Sequence, residues 1–271
     1  MQNRKLLSAL NLNNNIGESM KKVTRIFFSP SGTTKKVVDK LSHNFKQEKE
    51  TCDLLNFNDT KEFTQDDIVI VGMPVFAGRL PKTASERLSK LTGDGTKAIA
   101  VVNYGNAHVG DALLELVDIL KENNFDVVAA ASTISHHSIF DGVALGRPDS
   151  SDVKKINEFG EKCVEKIELG ESLQSEIPGN RPYTDYKQLP FIVSCDESVC
   201  AFCYDCVSIC PEKAVPDDDP VATDLDLCSR CTACIHICPE NARMFTGEAF
   251  EAKKPAFEEA NSERKEPEFY L

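Results

Sequence analysis

Residues 200–211, CAFCYDCVSICP, and residues 228–239, CSRCTACIHICP, are one pattern written twice: C-x-x-C-x-x-C-x-x-x-C-P. Every cysteine recurs 28 residues later, as Cys200/Cys228, Cys203/Cys231, Cys206/Cys234 and Cys210/Cys238, and PEKA and PENA continue the repeat. The surrounding unit, residues 191–245, shows no helix or strand pattern long enough to build a core. About 55 residues bury too little apolar surface to stand alone, so the unit needs a staple. The chain has 11 cysteines, an odd total. The apolar LLSAL near its start is shorter than the roughly 7–15-residue core of a secretory leader. A disulfide framework is therefore disfavoured, and metal or redox chemistry is favoured. Four soft thiolates per site suit zinc or iron–sulfur. Zinc knuckles pair two C-x2-C motifs, without the third cysteine or the C-P. Three closely spaced cysteines instead wrap three corners of a cubane, and the fourth, before proline, ligates the other cluster. Cys200, Cys203, Cys206 and Cys238 are thus expected to hold one [4Fe-4S] cluster, and Cys210, Cys228, Cys231 and Cys234 the second.

Upstream the pattern changes. Residues 22–169 alternate strand and helix signals. VTRIFF (23–28) leads into a helix over 33–47, and ETCDLLNF (50–57) reads as a second strand. DIVIVGM (67–73), KAIAVVNYG (97–105) and FDVVAAASTI (125–134) are apolar runs typical of strands buried on both faces. Helices are expected over 83–91, where Thr83 and Glu86 have capping-box spacing, and over 110–123 and 150–168. Five strands with intervening helices predict a doubly wound parallel α/β sheet. Residues 170–190 are polar and proline-bearing, a linker. Residues 246–271 form a charged tail, in which Phe250 and Phe257 are possible docking points. Residues 1–21 read as a flexible extension, with Met20 a natural start. The formal charge of −12 argues against nucleic acid and fits docking on basic patches of partners. No run approaches the ~18 apolar residues of a membrane span. A cytoplasmic protein is expected.

The first strand leaves through FSPSGTTKKVV (28–38), where four hydroxyls surround Gly32. Strand, hydroxyl-rich turn and helix N-terminus together make an anion site, because first-turn N–H groups lack intrahelical partners and the helix dipole favours negative charge. The Gly-x4-Gly-Lys-Ser/Thr pattern of nucleotide triphosphatases is missing. SPSGTT resembles the flavodoxin phosphate loop. That resemblance implies FMN, with its phosphate on Ser29, Ser31, Gly32, Thr33 and Thr34, and a sheet of order 2-1-3-4-5; the cysteine segment in turn resembles bacterial two-cluster ferredoxins, which implies a small C-terminal α+β ferredoxin-like domain. Ligands of such sheets lie at the carboxyl ends of the strands. Two loops fall there, each with one aromatic: Pro74, Val75, Phe76, Ala77 and Gly78 after the third strand, and Asn103, Tyr104, Gly105 and Asn106 after the fourth. Over residues 22–245, PVFAGRLP and YGNA included, the chain is similar to flavodoxin–ferredoxin fusion proteins of anaerobic bacteria. One departure concerns the cysteine loops. Ferredoxin loops usually carry glycine where this chain has Phe202, Tyr204, Arg230 and Thr232.

These readings converge on an electron-transfer protein that exchanges electrons between FMN and two [4Fe-4S] clusters, and with redox partner proteins. No catalytic residue is assigned. The alternative is an FMN-dependent reductase of a small acceptor, a quinone or nitro compound, fed through the clusters. A third possibility, an iron–sulfur interaction module without FMN, conflicts with the intact hydroxyl loop. Cys52 and Cys163 read as apolar core fillers and Cys195 as a structural thiol. The segment SHHSIFDGVALGRPD (135–149) is placed to cover the flavin edge; His108, His136 and His137 lie near the expected site without an assigned role.

Overall fold

The computed structural model describes residues 22–271; the expected N-terminal extension lies outside them. In chain order the first unit comprises β1 (Lys22–Phe27), α1 (Thr33–Ser42), β2 (Glu48–Asp53), β3 (Lys61–Glu62), β4 (Asp67–Pro74), α2 (Lys82–Leu88), β5 (Leu91–Thr92), β6 (Thr96–Tyr104), α3 (Ala112–Glu122), β7 (Phe125–Ile134) and α4 (Ser150–Leu169). The second comprises β8 (Ile192–Cys195), α5 (Asp205–Ile209), α6 (Ala233–Ile237) and β9 (Arg243–Thr246), and the tail that follows carries α7 (Glu248–Ala260) and β10 (Glu268–Tyr270).

The main sheet runs β2-β1-β4-β6-β7-β10. Its first five strands are parallel, and β10 is antiparallel at the edge. The apolar runs of β4, β6 and β7 follow from burial on both faces. One face packs Val37, Val38 and Leu41 of α1 with Ile156, Phe159 and Cys163 of α4. The other packs Ala84 and Leu88 of α2 with Leu113, Val117 and Leu120 of α3, and takes in Cys52. Register brings the carboxyl ends of β1, β4 and β6 together, with Phe27 beside Gly72 and Pro74 beside Asn103. Thr83 caps nothing: α2 starts after Pro81 without a side-chain cap. Its hydroxyl instead donates to Glu212 Oε1 at 2.6 Å, across to the cysteine unit. A capping box does exist, at α4, between Asp149 and Asp152.

The cysteine unit keeps its repeat in three dimensions. Helices α5 and α6 stand 28 residues apart, and so do three pairs of left-handed residues: Phe202/Arg230, Tyr204/Thr232 and Lys213/Asn241. The slots where glycine was expected therefore do need positive φ, and four side-chain-bearing residues bear the strain. The apolar centre of this unit is shared. Phe191, Val193 and Phe245 pack with Phe140 and Val143 from the loop after β7 and with Phe250 of α7.

The tail differs from the expected charged segment. Its charges pair with the main unit, Arg264 with Asp149 at 2.7 Å and Lys155 with Glu266 at 2.6 Å. Its aromatics dock, Phe257 on Phe140 with ring centroids at 4.3 Å and Phe269 on Phe159 at 4.8 Å. Residues 170–190 have no regular structure, yet they are pinned to α3. Asp111 accepts from the backbone N–H of Asn180 and Thr184, both at 2.8 Å, and Asp118 pairs with Arg181. The Arg79 guanidinium, paired with Glu115, lies over the Tyr183 and Tyr186 rings.

Candidate functional site

The turn after β1 is built around Gly32, which caps α1 at φ 77° with no side-chain cap and no acidic residue in the first turn. Ser29 Oγ accepts the Lys35 N–H at 2.9 Å, and Ser31 Oγ lies 3.0 Å from Thr33 Oγ1. The Asn103 amide donates to Thr33 Oγ1 at 3.3 Å and reaches Thr34 Oγ1 at 3.5 Å, while its carbonyl accepts from Thr133 and Ser135. Asn103 thus ties the fourth-strand loop to the hydroxyl turn. The other two loops press against each other. Asp111 N–H donates to Gly78 O, and a Cβ on Gly110 (φ +59°) would fall 2.5 Å from that oxygen. Only glycine fits this crossing.

A cavity of about 260 Å³ opens above these loops. Ser31 and Thr33 border it, with Pro74, Val75, Phe76, Ala77 and Gly78 from the β4 loop and Asn103, Tyr104 and Gly105 from the β6 loop. Ser29, Gly32, Thr34 and Asn106 do not. Ser29 and Gly32 shape the turn, through the bond to Lys35 N–H and the left-handed cap, and Thr34 is buried. Asn106 is turned to the tail, donating to Asn261 O and Glu263 O and accepting from Lys265 N. Its place in the resemblance to a flavin loop thus becomes an anchor for the chain that crosses above.

The far wall comes from outside the sheet unit: Leu189 and Phe191, then Ser229, Arg230 and Cys231 of the second cysteine loop, then Lys253 and Phe257 of α7. No motif in the linker or tail marks them; only the aromatic spacing at Phe250 and Phe257 hinted at docking. His108, His136 and His137 all border the cavity. His137 is the best fixed. Its Nδ1 accepts the N–H groups of Ile139 (3.1 Å) and Phe140 (3.2 Å), so the neutral ring carries its proton on Nε2. Burial pushes its pKa down to about 4. Lys187, Arg230 and Lys253 also border the cavity, and among the described residues no Asp or Glu does.

The cysteines gather around two smaller cavities. Cys200, Cys203, Cys206 and Cys238 border one, together with Cys195; Cys210, Cys228, Cys231 and Cys234 border the other. Among the described residues no group of three or more His, Cys, Asp or Glu is drawn together tightly enough for a single metal ion. Four thiols spread around a cavity suit a multi-atom cluster better than zinc, whose ligands crowd one ion. Backbone donors already point at sulfur in repeat-related positions: Ala214 N–H to Cys210 Sγ and Ala242 N–H to Cys238 Sγ, both at 3.3 Å. Among the described residues three buried side-chain donors have no partner: Thr24 Oγ1 in β1, and Thr232 Oγ1 and Arg243 Nε in the cysteine unit. Thr232 borders the second cavity and Arg243 the first. Orphaned donors beside thiol-lined cavities fit a sulfur-rich group, which would accept from both. Burial pushes the Cys231 thiol up, and the Cys234 thiol up to about 12, so a metal is needed to hold them as thiolates.

Buried Arg87 fixes the second set against the sheet unit, donating to Leu54 O, Leu55 O and, at 2.9 Å, Pro211 O, next to Cys210. Cys52 and Cys163 are buried in the two sheet cores.

No family model matches the chain, and no curated protein is similar to it. Among solved structures it is similar to flavodoxin 1 from Bacillus cereus (22% identity, TM-score 0.41, 54% of this chain and 98% of that one). It is also similar to a flavodoxin from the domain Archaea (16%, 0.36, 54% and 98%) and to the Fusobacterium nucleatum flavodoxin bound to flavin mononucleotide (17%, 0.38, 56% and 100%).

Proposed function

We propose that this chain is an electron-transfer protein, exchanging electrons between FMN and two [4Fe-4S] clusters and, through them, with redox partner proteins. One observation carries the reading: a single cavity has the hydroxyl turn (Ser31, Thr33) and the two strand-end loops on one side and Cys231 of the second cysteine set on the other. Ser31, Thr33 and the open N–H groups of the first α1 turn would hold the phosphate. Phe76 and Tyr104 offer aromatic faces to the ring, and Asn103 braces both loops. When bound, FMN supplies two-electron chemistry that can be delivered singly, and each cluster supplies one-electron chemistry. Cys200, Cys203, Cys206 and Cys238 would hold one cluster, and Cys210, Cys228, Cys231 and Cys234 the other, with Arg243 and Thr232 donating to their sulfurs. Lys253 and Phe257 of α7 border the cavity; the alternative reading, a reductase, requires a quinone or nitro compound to enter there.

The test is direct. Anaerobically purified full-length protein should contain about eight irons, matching labile sulfide and FMN. After rapid reduction of the clusters, FMN bleaching should proceed at a rate independent of protein concentration, as transfer within one molecule requires. Stoichiometric zinc without sulfide would sink the cluster assignment. A bleaching rate proportional to protein concentration would sink the internal exchange.

A further inference from the structure

The two cysteine loops share a backbone and differ in what surrounds them. Phe202 matches Arg230 and Tyr204 matches Thr232, all four left-handed. Arg230 and Thr232 are 9% and 2% exposed, turned toward the flavin cavity and the second cysteine cavity. Phe202 and Tyr204 are 48% and 40% exposed. An aromatic residue is strained at positive φ where glycine is not, and here nearly half of each residue stays in solvent although Tyr204 borders the first cysteine cavity. Around them lie exposed Val199, at 48%, and the exposed thiol of Cys203. The exposed rim has one sign; the cation that borders the cavity, Arg243, is buried and bonded to Thr223, Pro220 and Ala222. Residues 196–205 contain Asp196, Glu197 and Asp205 and no Lys or Arg. Glu240 borders the same cavity, as does Pro220, which follows the acidic run 217–219. Of the eight repeat cysteines, only Cys231, in the other set, borders the flavin cavity. The first set therefore lies on the outward side.

We propose that the loop Asp196–Asp205, with its acidic rim, is the docking face for a basic one-electron carrier protein. This rests on the cluster reading above and adds the place and the chemistry of the partner. An apolar centre excludes water at the contact, and a single-signed rim steers and orients an oppositely charged partner. Per encounter one electron crosses: the docked protein's centre changes by one electron as the chain changes by one in the opposite sense, and no bond or proton moves.

The experiment uses full-length, iron- and flavin-loaded protein in its oxidised state, with oxidised cytochrome c as the basic probe. Calorimetry measures the dissociation constant at low and high salt, so the readout is binding rather than turnover. Iron, sulfide and the cluster spectrum are measured on each variant. Glu197→Lys with Asp205→Lys should weaken binding about tenfold at low salt and flatten the salt dependence. Phe202→Gly with Tyr204→Gly, which suits the left-handed backbone and so preserves the loop, should weaken it severalfold and leave the salt dependence intact. Glu161→Lys with Glu168→Lys, both exposed on α4 and equal in charge change to the loop pair, should change binding less than twofold. Equal losses from this pair and from Glu197→Lys with Asp205→Lys would mean only net charge matters and would overturn the assignment. So would unchanged binding in the loop variants. Wild-type dimers that the glycine variant dissolves would overturn it in favour of self-association. Wild-type protein lacking iron and sulfide would instead defeat the cluster reading on which the proposal stands.

Discussion

The sheet unit and the cysteine unit are held together by different means. The sheet unit has an apolar core on each face, supplied mostly by its own strands and helices; the linker adds Ile177, Ile209 of α5 packs against one face, and β10 adds an edge strand. The cysteine unit has one small apolar cluster, and part of that belongs to its neighbours: Phe140 and Val143 come from the loop after β7 and Phe250 from α7. Its hydrogen-bonded sheet is a single four-residue pair, Ile192–Cys195 with Arg243–Thr246. The comparison teaches that one unit is built by burial, while the other leans on docking and, on the proposed cluster reading, on ligation. Perturbations should therefore separate them.

Removing iron and sulfide should have the largest effect. Chelation under anaerobic reducing conditions should unfold residues 192–247 and leave the sheet standing, because metal-site energy is folding energy where the core is small. Hydrogen exchange checks this. Amides of β8 and β9 should lose protection while those of β1, β4 and β6 keep it. Simultaneous loss in both sets would mean that the units fold as one, and the contrast would fail. Next comes Phe140→Ala. This ring stacks on Phe257 and Phe250 and meets Phe191 edge-on. Its loss should cost about 3–5 kcal/mol, all of it in the docking of the cysteine unit and the tail. Denaturant unfolding followed by cluster absorbance should shift to lower midpoint, while the sheet transition stays in place.

What the sequence made legible follows the same division. Strands β4, β6 and β7 were readable because burial on two faces leaves continuous apolar runs. The grouping of the eight thiols into two sets of four was readable because the repeat fixes their spacing. The cavity's floor was readable through the hydroxyl turn and the two glycine loops. Its roof was not. Lys253, Phe257 and Arg230 reach the cavity through tertiary docking, which leaves no local pattern. The tail's many charges also hid β10: Glu268–Tyr270 gains its ladder from β7, not from its own propensity. Thr83 is the converse case, a correct local motif whose hydroxyl a better partner, Glu212, takes away.

The seam between the units should respond to pH. Burial holds His137 neutral with a pKa pushed down to about 4. His136 lowers it further and Asp141 opposes. Unfolding frees the ring to take up a proton below its ordinary 6.5. The stability that depends on the neutral ring is thus complete above about pH 6.5 and is lost as pH falls towards 4. A gap of that size corresponds to about 3 kcal/mol. His137→Asn keeps an acceptor for the Ile139 and Phe140 N–H groups and cannot titrate. Its unfolding free energy should be flatter than wild type between pH 6.5 and 4. Parallel curves for the two proteins would show that another group sets the dependence.

The finest contrast lies within the repeat itself. Thr232 and Tyr204 share a left-handed backbone position, but only Thr232 is buried with an unpartnered hydroxyl beside a thiol-lined cavity. Thr232→Val keeps the β-branched shape at φ 77° and removes only that donor. A hydrogen bond to sulfur favours the reduced cluster, which carries the extra negative charge, so the second cluster's potential should fall. A net bond of roughly 0.5–1.5 kcal/mol corresponds to about 20–65 mV for a one-electron couple. The first cluster, whose orphan donor is Arg243 instead, should not move. An anaerobic redox titration with the two cluster signals resolved by paramagnetic resonance reads both values at once. Equal shifts of the two clusters would mean that the substitution loosens the whole unit. No shift in either would mean that the Thr232 hydroxyl reaches no sulfur, and that threonine holds this strained position for packing alone.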